Sequence, residues 1–265
     1  MNVQLLGCVE VRTAAGQVPI PYGARLLLAA LAWTPNDFVA DDTLIARVWE
    51  HRAPRHPVNA LYTLATRLRK ALPGPAFGER PAFQLARRRG GYVFAIDRTK
   101  VDLSVFRHSV QEARRAANQG QDELALRRYR DGLSLWRGGL LSDVPTACAD
   151  AMRMTLWQEY REARVHCAEV GMRLGRHDEC VPVLHDLFDQ LPYDEKVAGL
   201  LMLALYRSGR PGEALERYRQ CRARLIDQLG DGPGTELRAL HDRILRRDAE
   251  LGRPDLVGAA GARPL

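Results

Sequence analysis

Short alternating runs of apolar residues open the chain. Aliphatic residues recur between Val3 and Val11 on both sides of Gly7, which predicts two short strands, and residues 14–17 predict the hairpin turn to a third. The segment Ala24–Trp33 is apolar enough to predict a buried helix, and Pro35 ends it. This part of the chain therefore predicts a small sheet that leads into a first helix.

A second helix is predicted over Thr43–Glu50. Asp41 or Asp42 stands just before it and is suited to the N-cap, where a carboxylate accepts a hydrogen bond from a free helical N–H group. Residues 51–56 contain a proline and predict the loop to a third helix.

The third predicted helix has the clearest period in the chain. It runs over residues 57–72, with Pro57 suited to the first turn and the Pro73-Gly74 pair ending it. Its apolar residues recur at spacings of three and four, which predicts one buried stripe made of Val58, Leu61, Ala65, Leu68 and Leu72. The other side carries polar and basic side chains: Asn59, Tyr62, Thr63, Thr66, Arg67, Arg69 and Lys70.

A β-hairpin is predicted immediately after this helix, over Phe83–Ile96. Its second half is rich in aromatic and β-branched residues, and Gly90-Gly91 supplies a tight turn. Three consecutive arginines precede the turn: Arg87, Arg88 and Arg89.

Helix, loop, basic helix and hairpin in this order predict a winged helix-turn-helix. The major groove of DNA admits one helix, so residues 57–72 are expected to enter it with their apolar stripe held against the preceding helices. The side chains expected at base edges are Asn59, Thr63, Thr66 and Arg67, flanked by Tyr62. Arg69 and Lys70 are expected at phosphates, and the hairpin arginines along the adjacent minor groove or backbone. The alternative for each basic residue is a solvated surface.

After Asp97 the pattern is helical and repeats. Gly175 and Gly209 are 34 residues apart, which is the tetratricopeptide period, and Gly120 marks an earlier copy. Any amphipathic helix can show such spacings. The interpretation therefore depends on the glycine that stands at the same position in all three copies. We expect a mainly α protein with a small β component. It consists of a winged helix-turn-helix over 1–98, an all-α tetratricopeptide-like domain over 99–252 and a disordered tail over 253–265.

The net charge of +7 is concentrated in one segment. Residues 57–98 hold eight basic and two acidic side chains, whereas residues 1–56 balance at five of each and the remaining 167 residues carry only +1. Such a stripe is typical of a surface that binds a polyanion. The main alternative function is a helical-repeat adaptor whose first domain binds protein instead of DNA. An adaptor has no need for positive charge confined to a helix and a hairpin.

Catalytic and metal-binding motifs are absent from the sequence. It contains no Gly-x4-Gly-Lys-Ser/Thr loop, no Gly-x-Ser-x-Gly and no His-Glu-x-x-His, so we expect no enzyme, cofactor or metal site. His51 and His56 lie in a predicted loop with no carboxylate between them and are expected to be solvated or to face phosphate. Five scattered cysteines, with no signal peptide or membrane span, predict a reducing cytoplasm.

Several long stretches match the pattern of a known family. In the first hundred residues they are residues 3–11, Thr66–Leu72 and Gly90–Val93; in the helical part they are Leu135–Gly138, Leu174–His177, Leu201–Arg210 and Ala214–Arg219. On these stretches, and over roughly residues 3–250, the chain resembles the Streptomyces antibiotic regulatory protein family. One departure is the first helix, where Ala24–Leu28 replaces the more basic, glutamine-containing start of many relatives.

The resemblance implies a response-regulator-type winged helix joined to a bacterial transcriptional activator domain. It further implies a transcription activator of a secondary-metabolite (antibiotic) gene cluster. Such a protein binds double-stranded DNA at direct repeats near the promoter and recruits RNA polymerase holoenzyme. We also expect it to self-associate on DNA. We expect no receiver domain before this winged helix, and therefore no aspartyl-phosphate switch.

Overall fold

The computed structural model of the protein describes residues 1–72, 74 and 82–252. Pro73 and the predicted tail 253–265 lie outside the described residues. The chain divides into two compact units, one formed by residues 1–111 with 131–159 and the other by residues 112–130 with the chain from 160 onward. These units do not follow the expected domain bounds 1–98 and 99–252, which stay a prediction.

The first unit contains two three-stranded antiparallel sheets. One has the order β1-β2-β3 and consists of β1 (Asn2–Gln4), β2 (Glu10–Thr13) and β3 (Gly16–Val18). The other has the order β4-β6-β5 and consists of β4 (Phe38–Ala40), β5 (Phe83–Arg88) and β6 (Gly91–Ile96). The sequence pattern did not predict β4, which is defined by its pairing with β6.

Three helices of the first unit confirm the helical expectations: α1 (Tyr22–Ala32), α2 (Asp41–Trp49) and α3 (Pro57–Ala71). Helix α1 is buried along most of its length, in keeping with its apolar sequence. The expected N-cap of α2 was wrong. Ala40 occupies that position without a side-chain hydrogen bond, and Asp41 is the first helical residue. Its carboxylate is instead engaged by a side chain of the hairpin.

Two acidic side chains from later in the chain complete the first unit. Asp102 accepts hydrogen bonds from the amides of Leu5 at 2.7 Å and Leu6 at 3.1 Å. Burial raises the pKa of Asp102, while these same hydrogen bonds oppose the rise. Asp143 accepts from the amide of Val9 at 2.9 Å. The start of the chain is therefore tied to residues beyond 98.

The remainder of the described chain is helical. Two 3₁₀ turns, Arg98–Lys100 and Ala249–Gly252, flank this part. The helices are α4 (Asp102–Asn118), α5 (Asp122–Leu133), α6 (Ala147–Arg173), α7 (His177–Gln190), α8 (Glu195–Arg207), α9 (Pro211–Leu229) and α10 (Thr235–Leu245).

The three glycines of the predicted repeat share one backbone conformation. Gly120, Gly175 and Gly209 have φ of 73°, 74° and 73°, and they end α4, α6 and α8. In each case the next helix begins two residues later. A left-handed residue is the usual way to stop a helix, and glycine adopts it without a Cβ penalty. The shared glycine position thus marks repeated helix-turn-helix pairs, and the turns at Gly175 and Gly209 are 34 residues apart.

Candidate nucleic-acid interface

Helix α3 buries one side and exposes the other. Leu61, Ala65 and Leu68 are fully buried, as the period predicts. The prediction for Val58 was wrong, because its side chain is 46% exposed and Leu64 is buried in the stripe instead. The buried residues of α3 lie between Leu61 and Leu68, whereas Val58 is in the first turn, outside that buried segment.

Most of the seven polar and basic residues expected on the outward side of α3 are found there. Exposed side chains belong to Asn59, Tyr62, Thr63, Arg67 and Lys70, and those of Thr66 and Arg69 are half-buried. Helix α3 contains no aspartate or glutamate, and its three cations, Arg67, Arg69 and Lys70, lie in its C-terminal half. DNA contact by these residues stays a prediction.

Both threonines use their hydroxyl hydrogens within the helix. The hydroxyl of Thr63 donates to the carbonyl of Asn59 at 3.0 Å, and that of Thr66 donates to the carbonyl of Tyr62 at 2.9 Å. Back-bonding of this kind is common for threonine in helices. In this arrangement the hydroxyls can accept a hydrogen bond from a base but have no hydrogen left to donate.

Arg69 joins α3 to the hairpin. Its Nε and Nη2 donate hydrogen bonds to the carbonyl of Leu85 in β5, at 3.0 and 2.9 Å. This guanidinium therefore helps to set the position of the hairpin relative to α3, a role that the spacing of the sequence did not indicate. Its predicted phosphate contact remains untested.

Arg87 is likewise held within the first unit. It forms a bidentate ion pair with Asp41 at the start of α2, with one hydrogen bond of 2.7 Å, and its guanidinium lies 4.6 Å from the ring centroid of Tyr92. The hydrogen bonds to Asp41 raise the pKa of Arg87, and burial raises that of the Tyr92 hydroxyl. Of the three hairpin arginines, Arg87 thus ties the turn end of the hairpin to the start of α2.

Arg88 and Arg89 lie exposed at the hairpin tip. Arg88 pairs with Gly91 in the sheet register, so the two-residue turn is Arg89-Gly90 and not Gly90-Gly91 as expected. Gly90 has a φ of 77°, as a tight turn requires. Gly91 is needed for another reason: a Cβ there would lie 2.3 Å from the Val39 carbonyl oxygen of β4.

The loop before α3 adds positive charge that the sequence pattern did not place at the site. Arg52 and Arg55 are exposed there, together with His51 and His56. In the sequence, the signal for these residues was the presence of two arginines just before a basic helix. No group of three or more His, Cys, Asp or Glu side chains suited to a metal ion occurs among the described residues.

Comparison with known proteins places the chain among transcriptional regulators. Residues 101–245, more than half of the chain, match the family described as "Bacterial transcriptional activator domain". The chain is 32% identical to the regulatory protein DnrI of Streptomyces peucetius over 98% of both chains. It is 34% identical to the transcriptional regulator RedD of Streptomyces coelicolor, over 97% of this chain and 74% of RedD.

The chain belongs to the Streptomyces antibiotic regulatory protein family. A solved structure supports the fold of this family member. Mycobacterium tuberculosis EmbR, in complex with a low-affinity phosphopeptide, superposes with a TM-score of 0.84 at 31% identity. The match covers 93% of this chain and 65% of the EmbR chain, so about a third of EmbR has no counterpart in the comparison.

As a Streptomyces antibiotic regulatory protein, the chain is a transcriptional regulator and not an enzyme. The family expectation and the fold class, a winged helix-turn-helix with an all-α repeat domain, are confirmed. No helix in the described ranges is both long and apolar enough to span a membrane.

Proposed function

We propose that the protein is a sequence-specific, DNA-binding transcription activator of a secondary-metabolite gene cluster, of the antibiotic type, and that it acts in the cytoplasm. In this proposal α3 enters the major groove of double-stranded DNA. The hairpin β5–β6 lies along the adjacent minor groove or backbone. The regulatory proteins DnrI and RedD, which the chain resembles over nearly its whole length, support this proposal.

One observation carries the proposal: four cations on α3 and the hairpin are available to a polyanion. They are Arg67, Lys70, Arg88 and Arg89, all exposed and all without an ion-pair partner within residues 1–72, 74 and 82–252. Elsewhere arginines are often neutralised, as Arg173 is by Asp122 at 2.9 Å. An unpaired cation can contact phosphate without first losing a carboxylate partner, so this surface is suited to DNA.

We further propose that two copies bind side by side on direct repeats near a promoter and that the helical part of the chain then contacts RNA polymerase holoenzyme. Residues 99–265 carry a net charge of only +1, so they add little attraction to phosphate. Contacts between neighbouring copies would instead raise avidity, by factors of about 10² or more.

The test is a gel-shift titration of the full chain against promoter fragments that flank its gene. We expect binding that Arg67→Ala with Lys70→Ala weakens at least tenfold. Arg222→Ala with Arg238→Ala, which removes two exposed cations from α9 and α10, is the matched control and should leave affinity nearly unchanged. If no duplex binds, or both variants behave alike, the helical-repeat adaptor becomes the better interpretation.

A further inference from the structure

Two large apolar side chains are exposed on α3, the helix proposed to enter the groove. Val58 is 46% exposed and Tyr62 is 60% exposed. They are four residues apart, so they are neighbours on the helix surface. Isolated exposed apolar residues need no explanation. This adjacent pair is distinguished by its place on the proposed recognition surface, where it can meet apolar groups of the partner.

Thr66 extends the pair by one further turn. Its hydroxyl hydrogen is committed to the carbonyl of Tyr62 at 2.9 Å. The side chain of Thr66 is half-buried and also carries a Cγ2 methyl, which can make an apolar contact. Val58, Tyr62 and Thr66 form a row at a spacing of four residues, and we refer to these three side chains as the apolar strip.

We infer that the apolar strip recognises the C5-methyl groups of thymines in the major groove, an inference that rests on the proposed DNA-binding function. Thymine is the one base that presents an apolar group at its major-groove edge. Carbon atoms of a valine, an aromatic ring or a threonine methyl make no hydrogen bonds to base edges. They therefore cannot distinguish the donor and acceptor patterns of the other bases. They can, however, bury a methyl group and so favour thymine over cytosine at the contacted position.

Charge on the same helix supports DNA as the occupant. Helix α3 carries Arg67, Arg69 and Lys70 and no acidic residue, which suits a polyanion. Val58 is the second residue of the helix, and in helix-turn-helix proteins the N-terminal part of the recognition helix meets the base edges. The strip thus begins where bases are expected, and Lys70, for which a phosphate contact is predicted, lies towards the C-terminal end of the helix.

The experiment uses the full chain and thymine-to-deoxyuridine substitution. A duplex that binds is first selected from a randomised DNA pool, and each thymine is then replaced singly by deoxyuridine, which removes the C5-methyl group alone. We expect one or two positions at which the substitution weakens wild-type binding about fourfold, the effect of one buried methyl group.

Variants assign those positions to the strip. Val58→Ala should bind the selected duplex about threefold to fivefold more weakly and should lose its sensitivity to one deoxyuridine position. Tyr62→Phe should keep the wild-type pattern, whereas Tyr62→Ala should lose a second position. All three side-chain changes are at exposed sites, so an unchanged melting temperature will show that α3 remains folded.

The outcomes separate the two proposals. If no duplex is selected, the DNA-binding function fails, and the strip proposal fails with it. If a duplex binds tightly but every deoxyuridine position changes affinity by less than twofold, the strip does not recognise thymine and the DNA-binding function stands. The same conclusion follows if Val58→Ala and Tyr62→Ala retain full sensitivity at every position, or if Val58→Ala impairs promoter activation with unchanged DNA affinity, which would indicate a protein partner.

Discussion

The guanidinium of Arg69 donates two hydrogen bonds to the main-chain carbonyl of Leu85, from Nε at 3.0 Å and from Nη2 at 2.9 Å. This contact links α3 to β5 across 16 residues of sequence. Because helix and hairpin are proposed to contact the same DNA molecule, their relative position matters for affinity as well as for stability.

Arg69→Ala is expected to lower the free energy of unfolding by about 1.5–3 kcal/mol, the usual range for hydrogen bonds from a charged group. Arg69→Lys should recover only part of the loss, because an ammonium group does not reproduce the two-point contact. Arg67→Ala, on the exposed side of the same helix, is the control and should change stability by less than about 0.5 kcal/mol. Urea unfolding of the full chain measures all three. Equal stability of the Arg67 and Arg69 variants would contradict the assignment.

The ion pair between Arg87 and Asp41 is expected to be a coupled unit. Asp41 is only 9% exposed, so Arg87→Ala leaves a poorly solvated carboxylate and should cost about 2–3 kcal/mol, less than for a fully buried pair because Arg87 itself is partly exposed. The double variant Asp41→Asn with Arg87→Gln should be less destabilised than the sum of Asp41→Asn and Arg87→Gln measured singly. If the losses in the free energy of unfolding of the two single variants add up to that of the double variant, the ion pair contributes little to stability.

Arg88 and Arg89 are expected to act through charge alone. Binding should weaken steeply with salt, and each alanine substitution should reduce the slope of log K against log salt by about 0.9, with a similar loss of affinity for every DNA sequence. Fluorescence anisotropy between about 50 and 200 mM salt tests this. A flat response would argue against phosphate contacts at the hairpin tip.

Arg67 is expected to contribute to base recognition. Arg67→Ala should cost about 1–3 kcal/mol of binding to the preferred site and relax the base preference at one position. Competition with a panel of single-base variants of the selected duplex measures the preference. If Arg67→Ala weakens all duplexes by the same factor, as is expected of Arg88→Ala, then Arg67 contacts phosphate and not a base.

Gly91→Ala is expected to disturb the sheet of the first unit. Its Cβ would lie 2.3 Å from the carbonyl oxygen of Val39 and 2.6 Å from the ring of Phe38, so β4 must move away from β6. We expect a loss of about 2–3 kcal/mol, as for an overpacked core, and weaker DNA binding. Gly212→Ala in α9 is the control, since nothing lies within 4 Å of its added Cβ, and thermal unfolding should show it to be neutral or slightly stabilised.

Cys180 is expected to resist alkylation in the folded protein. Burial raises the pKa of its thiol from 9.0 to about 11, so at pH 8 only about one molecule in a thousand carries the reactive thiolate. The neutral thiol favours the folded state, and this contribution should be lost as pH rises from 9 towards 11. Iodoacetamide labelling with peptide mass spectrometry should modify exposed Cys8 first, and Cys180 only after guanidinium unfolding. Equal labelling rates under native conditions would contradict the buried placement.

Local features of the chain were enough to predict helices α1 to α3, the hairpin and the glycines that end α4, α6 and α8. Each depends on interactions within a few residues: a 3.6-residue period, a two-residue turn or a φ that favours glycine. The family could be identified in the same way, because its motifs are contiguous. The strand β4 was missed because it is defined by its partner β6 and not by its own three residues.

Tertiary structure alone decided which cations of the basic segment are available. Arg69 and Arg87 belong to the same charge run as Arg67 and Arg88, yet Leu85 and Asp41 engage the first two. Those partners are 16 and 46 residues away, and no spacing rule relates them to the arginines. The exposure of Val58 was settled in the same manner, by the direction from which neighbouring elements pack on α3. The pattern of the sequence determines which side of a helix or strand is apolar and which is polar. The residues that each side contacts depend on how distant segments fold against one another.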